Sequence, residues 1–245
     1  MDRMLYVAMS GASETMLAQT ANSNNLANAN TTGFLSDLQQ FRSMPVFGDG
    51  FPTRVYALSE RPDIDFARGS IQATGRDLDV AVMGDGWMSV QAKDGTEAMT
   101  RAGDLQIDAN GLLLTGTGLP VLGNNGPIAI PPAEKIEIAT DGTISIRPLG
   151  QGPNELAVVD RIKLSAPQKA DLEKGMDGLI RLKSGAPAIA DVDARLATGS
   201  LESSNVNTVN ALVDMIELAR KFEMQVKMMK TAEETDAAST TILKS

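Results

Sequence analysis

The chain has 245 residues and a formal net charge of −9, from 31 acidic and 22 basic side chains, with no Cys and no His. That length supports one large or two modest domains with a real core. The acidic balance argues against binding along a phosphate backbone, where clustered Lys and Arg release counterions. The missing Cys and His exclude disulfide frameworks, thiolate nucleophiles, zinc clusters and every Ser-His or Cys-His catalytic arrangement.

At the N-terminal end, Met1 to Ala12 carries only the short apolar run Leu5 to Met9, too little for the apolar region of a secretory signal. No stretch approaches the roughly 20 apolar residues of a membrane span. A soluble chain that leaves the cytoplasm, if at all, without a removable signal is expected. All eleven prolines lie between Pro45 and Pro187, and twenty of the 22 glycines lie between Gly48 and Gly199. Proline and glycine are the residues most costly inside a helix, so the two ends can be continuously helical and the middle cannot.

The first end, over about 3–30, spaces Leu5, Met9, Ala12, Met16, Gln19, Ser23 and Leu26 at steps of four and three, the repeat of a coiled-coil seam. Its stop is crowded with Asn22, Asn24, Asn25, Asn28 and Asn30, then Thr31, Thr32, Gly33 and Phe34. A helix stop with Gly33 at positive φ accounts for part of this. Five amides in nine residues exceed that need, and they suit either register-setting pairs or an uncharged face toward an aqueous channel. Residues 35–63, rich in Pro, Phe and Arg, read as an extended connector.

From about 64 to 198, short apolar runs alternate with turn dipeptides. The runs are Leu78 to Val82, Trp87 to Val90, Leu105 to Ile107, Leu112 to Thr115, Ile128 to Ile130, Ile136 to Ile138 and Thr143 to Ile146. Asp94-Gly95, Asn110-Gly111, Asn125-Gly126 and Asp141-Gly142 punctuate them, which predicts hairpins in a mainly β domain. No aromatic residue occurs between Met88 and Lys221, so its core is aliphatic. The last segment, 199–245, carries a stripe of Val209, Leu212, Ile216, Ala219, Phe222, Val226 and Met229, with Asn207 placed to cap the helix. Arg220, Lys221, Glu223, Lys227, Lys230, Glu233 and Glu234 read as its solvated face, and Met215, Met224, Met228 and Met229 as packing or a plastic association surface. The first helix has too few large apolar side chains to offset the entropy of fixing it, so the ends are expected to order on association.

Catalytic signatures are weak. Gly84-Asp85-Gly86 lacks the spacing of a phosphate loop. Asp77, Asp79 and Asp85, or Asp104 and Asp108, offer carboxylate pairs, yet each lies beside a turn where Asp bonds its own backbone. Neither a metal nor a cofactor is expected, and assembly is the role that fits the ends.

Asn25-Leu26-Ala27-Asn28-Ala29-Asn30-Thr31-Thr32-Gly33-Phe34 resembles the signature of the bacterial flagellar rod and hook proteins. Gly199-Ser200-Leu201-Glu202-Ser203-Ser204-Asn205-Val206-Asn207, Met215-Ile216 and Arg220-Lys221-Phe222-Glu223 resemble its C-terminal half. Leu78-Asp79-Val80-Ala81-Val82, Thr100-Arg101-Ala102-Gly103, Asp108-Ala109-Asn110-Gly111, Pro120-Val121-Leu122-Gly123 and Asp141-Gly142-Thr143-Ile144 are similar to the β region of the same axial family. Asp85-Gly86-Trp87 and 174–181 are most similar to the proximal-rod branch, with the distal-rod branch the near alternative. Thr32 stands where relatives often have Pro, and Leu35 where a basic residue is usual.

The resemblance implies an α+β fold in which long N- and C-terminal helices pack as a coiled-coil layer, with a mainly antiparallel β domain between them. The segments are 1–34, 35–63, 64–198 and 199–245. It implies a non-enzymatic subunit of the flagellar basal body, passed through the type III export apparatus and assembled helically in the periplasm with copies of itself and other rod subunits, without nucleic acid or membrane insertion. The assembly residues it implies are Leu5, Met9, Ala12, Met16, Asn24, Asn25, Leu26, Asn28, Thr31, Gly33, Phe34, Glu202, Ser204, Asn205, Val206, Asn207, Met215, Ile216, Arg220, Phe222 and Glu223. Leu5, Met9, Met16 and Leu26 would bury against Val209, Ile216 and Val226, within and between subunits. Gln19, Asn22 and Asn24 would face the lumen. A secreted β-rich binding protein on a coiled-coil stalk and a carboxylate-dependent hydrolase using Asp79 or Asp104 are the alternatives from other classes.

Overall fold

Freedom from proline makes the first end helical, and in the computed structural model helix α1 spans Met4–Ala27. The structure describes residues 4–38, 41–45, 55–59, 63–148 and 156–244. After α1 come the short strands β1 (Asp37–Leu38), β2 (Phe41–Pro45), β3 (Val55–Ser59) and β4 (Asp63–Ile64). The middle holds β5 (Ile71–Ala73), β6 (Val80–Met83), β7 (Trp87–Gln91), β8 (Glu97–Thr100), β9 (Leu105–Ile107) and β10 (Leu113–Thr115). It continues with β11 (Ala133–Ile138), β12 (Thr143–Pro148), β13 (Ala157–Arg161), β14 (Leu164–Ser165), β15 (Leu172–Lys174), β16 (Ile180–Leu182), β17 (Arg195–Thr198) and β18 (Ser200–Glu202). Helix α2 spans Thr208–Lys244. The α+β class follows, and among the described residues every strand pairing is antiparallel.

The chain divides into two compact units. One contains residues 1–29, 36–65 and 206–245; the other contains 30–35 and 66–205. In the first, α1 and α2 run antiparallel: the Asn22 amide donates to the Ala211 carbonyl at 2.7 Å, and Gly11 lies against the Gln225 side chain. Asn207 caps α2, its Oδ1 accepting from the amides of Val209 and Asn210 at 3.1 Å each. This satisfies two of the amides that a helix start leaves without intrahelical partners. Strands β1 with β4 and β2 with β3 form two small ribbons. Among the described residues, no helix is long and apolar enough to cross a membrane.

In the second unit, a five-stranded sheet in the order β14-β7-β8-β16-β15 stands with a three-stranded sheet β11-β12-β13 and the pairs β9-β10, β6-β17 and β5-β18. Its main core cluster is aliphatic, with Met88, Val90, Leu105, Leu113, Ile144 and Leu196 at most 1 % exposed, and Trp87 is the aromatic side chain buried in this unit. Gly95, Gly111 and Gly142 take φ of +84°, +82° and +86°, the left-handed conformation that a side chain resists and hairpin turns require. The expected strand at Ile128 to Ile130 is instead reduced to isolated bridges, Leu112 with Ala129 and Leu122 with Pro127. Pro127 and Pro131 flank it, and proline cannot donate to a ladder.

Candidate assembly surface

The seam between α1 and α2 differs from the expected one. The buried residues of α1 are Ala8, Ala12, Thr15 and Ala18, while Leu5, Met9 and Met16 are 42 %, 55 % and 57 % exposed. Only Ala12 of the expected seam is buried. The inward face of α1 thus runs along Ala8, Gly11, Thr15, Ala18 and Asn22, one residue before the pattern of large apolar side chains. On α2, Ala211 is buried and Met215, Ala219, Phe222, Gln225 and Met229 are half-buried. Val209, Leu212, Ile216 and Val226 are exposed, so the expected burial of Leu5, Met9 and Met16 against Val209, Ile216 and Val226 does not occur within the chain.

The physical reason is one of distance. Small residues let two helices approach closely, and a Cβ on Gly11 would already press on the Gln225 amide, 2.9 Å from its nitrogen. The small residues of α1 leave room there for the longer side chains of α2, such as Gln225. Both helices consequently expose apolar surface of a kind that monomeric proteins seldom leave uncovered. Leu5, Tyr6, Met9, Met16 and Leu17 are exposed on α1, and Leu212, Val213, Ile216, Met224, Val226 and Met228 on α2.

The amides divide between packing and solvent. Asn25 closes a two-way clamp on Asp37, its Nδ2 donating to the Asp37 carbonyl at 2.9 Å and its Oδ1 accepting the Asp37 amide at 2.8 Å. This reproduces a strand pairing with a side chain and fixes where the chain goes after the helix. Asn28 Nδ2 donates to the carbonyl and the side-chain oxygen of Asn24, both at 2.9 Å, and Asn24 remains exposed. Leu26 is half-buried. Helix α1 ends at Ala27, before the expected stop near residue 30, and Gly33 serves a separate turn at φ +65°.

That turn belongs to a buried junction in the β unit, where three distant parts of the sequence meet. The Gly33 amide donates to the Glu202 carbonyl at 2.9 Å, and a Cβ on Gly33 would collide with the backbone of Arg101 and Ala102. Arg101 Nε donates to Glu202 Oε2 at 2.8 Å, with the two side chains 4 % and 2 % exposed. The remaining guanidinium donors reach the carbonyls of Gly86 (2.9 Å), Val82 (2.9 Å) and Gly84 (3.2 Å), and the guanidinium carbon lies 5.4 Å from the Trp87 ring centroid. Gly84-Asp85-Gly86 is therefore a carbonyl cradle for an arginine. Glu202 Oε1 is buried and makes no hydrogen bond.

The flanking residues lock the same junction. The Phe34 amide donates to the Thr31 carbonyl, and the Phe34 carbonyl accepts from the Asn205 amide at 3.3 Å. Asn205 Nδ2 donates to the Ala67 carbonyl at 2.9 Å. Lys174 Nζ donates to the Leu35 carbonyl at 2.7 Å and sits 4.2 Å from the Phe34 ring centroid. Ser204 accepts at its carbonyl from Ser203 Oγ, and Val206 is half-buried. Arg220 and Glu223 are exposed on α2.

The carboxylates have ordinary duties. Asp79 is 4 % exposed; its Oδ2 accepts from Thr74 Oγ1 at 2.7 Å and its Oδ1 from Arg76 at 3.2 Å. Both oxygens are committed. Asp104 bridges Asp79 and lies against Gly116; burial, and secondarily the Asp79 charge, push its carboxyl above the usual carboxylate range. Asp85 is exposed and held below that range by hydrogen bonds from Arg68 and Lys169. Among the described residues, no group of three or more acidic side chains is placed to hold a metal ion.

Comparison with known proteins agrees with this layout. Residues 5–34 match the family "Flagella basal body rod protein", residues 81–146 match "Flagellar hook protein FlgE/F/G D1 domain", and residues 197–242 match "Flagellar basal body rod FlgEFG protein C-terminal". The chain is 41 % identical over 249 residues to the flagellar basal-body rod protein FlgF of Escherichia coli, covering 99 % of each. It is equally similar to FlgF of Salmonella typhimurium, and 31 % identical over 258 residues to the rod protein FlgG of Bacillus subtilis, covering 95 % and 96 %. The exposed apolar helices, the junction that joins the two terminal signatures and these matches together place the chain in the family of flagellar basal-body rod proteins.

Proposed function

We propose that the protein is a structural subunit of the proximal rod, built into a helical tube around the export channel and transmitting torque through side contacts without a chemical step. The observation that carries this reading is the uncovered apolar surface of α1 and α2. Helices that leave Leu5, Met9, Met16, Leu212 and Ile216 exposed are completed by neighbours. In the rod, α1 and α2 pack as a coiled-coil layer with those of adjacent subunits. The helices of segments 1–34 and 199–245 supply that layer, with 35–63 as the connector and 64–198 as the β domain. Copies of this chain and other rod subunits are its partners.

Leu5, Met9, Met16, Ile216, Arg220 and Glu223 act at contacts between subunits, while Ala12, Met215 and Phe222 hold the helix pair together. Gly33, Phe34, Glu202 and Asn205 act indirectly, by fixing the junction from which the two terminal segments leave. Asn24 lines the lumen as an uncharged amide. Delivery through the type III export apparatus into the periplasm belongs to the same reading.

Electron microscopy of basal bodies from a strain lacking only this chain tests the assignment. Absent rods, hooks and filaments, restored by complementation, are expected, and normal motile flagella would overturn it. Asn24→Lys tests the lumen: export of later subunits should fall, and undiminished export would remove Asn24 from the channel wall.

A further inference from the structure

Helix α1 carries one charged side chain, Glu14, in 24 residues. It is half-buried, and its Oε2 is buried without a hydrogen-bond partner. Helix α2 is the opposite in character. Lys221, Lys227 and Lys230 lie within ten residues, with Glu223 the only acid among them, and all four are exposed. Among the described residues, neither Glu14 nor any of these lysines forms an ion pair. A partly desolvated carboxylate with an orphaned oxygen is costly unless a cation reaches it. The chain's own α2 turns its lysines to solvent instead.

We propose that Glu14 sets the register between copies of this chain by pairing with a lysine of the Lys221–Lys230 stretch in the α2 of a second copy. The inference rests on the reading that the apolar helix faces pack between subunits, and it adds which contact fixes their axial position. Apolar faces made of Met and Leu slide easily past one another, since such side chains repack. A single buried polar pair in an otherwise uncharged face fixes register. Charge complementarity selects the occupant: two chains of net charge −9 repel at long range, and this lysine-rich stretch is where one of them can receive the other's isolated carboxylate.

A zero-length carbodiimide cross-linker applied to isolated basal bodies reads the contact directly, because it joins a carboxylate to a lysine only where they already touch. The expected product is a dimer of this chain on a denaturing gel whose peptide map contains Glu14 joined to Lys221, Lys227 or Lys230. Glu14 joined only within one chain, joined to a different protein, or unjoined in intact rods that contain the chain would overturn the proposal. Rods assembled without this chain would overturn the rod assignment itself. Glu14→Gln separates the contact from folding: the dilute chain should keep or raise its melting temperature while association between copies weakens at least about thirtyfold. A lowered melting temperature with unchanged assembly would make Glu14 a residue of its own fold and sink the inference.

Discussion

In the β unit the large aliphatic side chains point inward, with Leu105, Leu113 and Ile144 fully buried. In the helix pair, alanines and Thr15 are buried while Leu5, Met9, Met16 and Leu17 stand exposed. One region hides its hydrophobic surface in itself; the other reserves it. On the proposed reading, stability and association are written in separate residues of the same chain. An alanine seam returns little on burial, because each CH₂ contributes only about 0.8 kcal/mol. The helix pair gains from close approach, and its larger apolar side chains lie on faces that this chain alone does not cover.

The largest effect should come from the junction in the β unit. Arg101→Ala leaves the Glu202 carboxylate buried and unpaired and should destabilise the chain by about 3–5 kcal/mol in denaturant unfolding, whereas Arg101→Met with Glu202→Leu should recover most of it. If the single change costs under about 1 kcal/mol, the junction is not what closes the unit. The contrast between the regions is sharpest in a pair of truncations. Leu113→Ala should cost about 2–5 kcal/mol in the isolated chain, while Met16→Ala should stay within about 0.5 kcal/mol yet impair rod completion. Equal losses of stability would erase the distinction. Gly11→Val tests the seam from the other side: its added methyls meet Gln225, and overpacking of about 1–3 kcal/mol is expected, read as lost helicity on heating.

The smallest effect is electrostatic. The Asp104 carboxyl is pushed up by burial and by Asp79, so the folded chain holds its proton more tightly than the unfolded one. The charged form is thus a burden at neutral pH, and stability falls as pH rises from the ordinary carboxylate range through that raised value. Asp104→Asn should stabilise by a few tenths of a kcal/mol at pH 7, kept small by the solvent that reaches its exposed side. The gain should vanish at pH values where both states are protonated. A gain that grew on acidification would reverse the assignment of cause.

Local chemistry made much of this fold legible in the sequence. Asp94-Gly95, Asn110-Gly111 and Asp141-Gly142 mark turns because a left-handed residue is needed there, and Thr143 to Ile146 alternates buried and half-buried as a strand facing a core does. The helix seam was legible only to within one residue. Periodicity weighs large apolar side chains, and here these mark the outer face. Glu202 was singled out by resemblance alone, and its partner Arg101 lies 101 residues away. No local pattern links an arginine in one hairpin to a glutamate that precedes a helix; only the closed tertiary structure does.

That long separation has a consequence for the order of events in a chain made from its N-terminus. Strand β5 pairs with β18 and strand β6 with β17, so both wait for partners more than a hundred residues downstream. The Arg101 guanidinium likewise has no counter-ion until residue 202 has emerged. Contacts of such span are slow to form because a long loop must close first. The β unit of a nascent chain thus forms its local hairpins early and closes only when nearly all of it has been made.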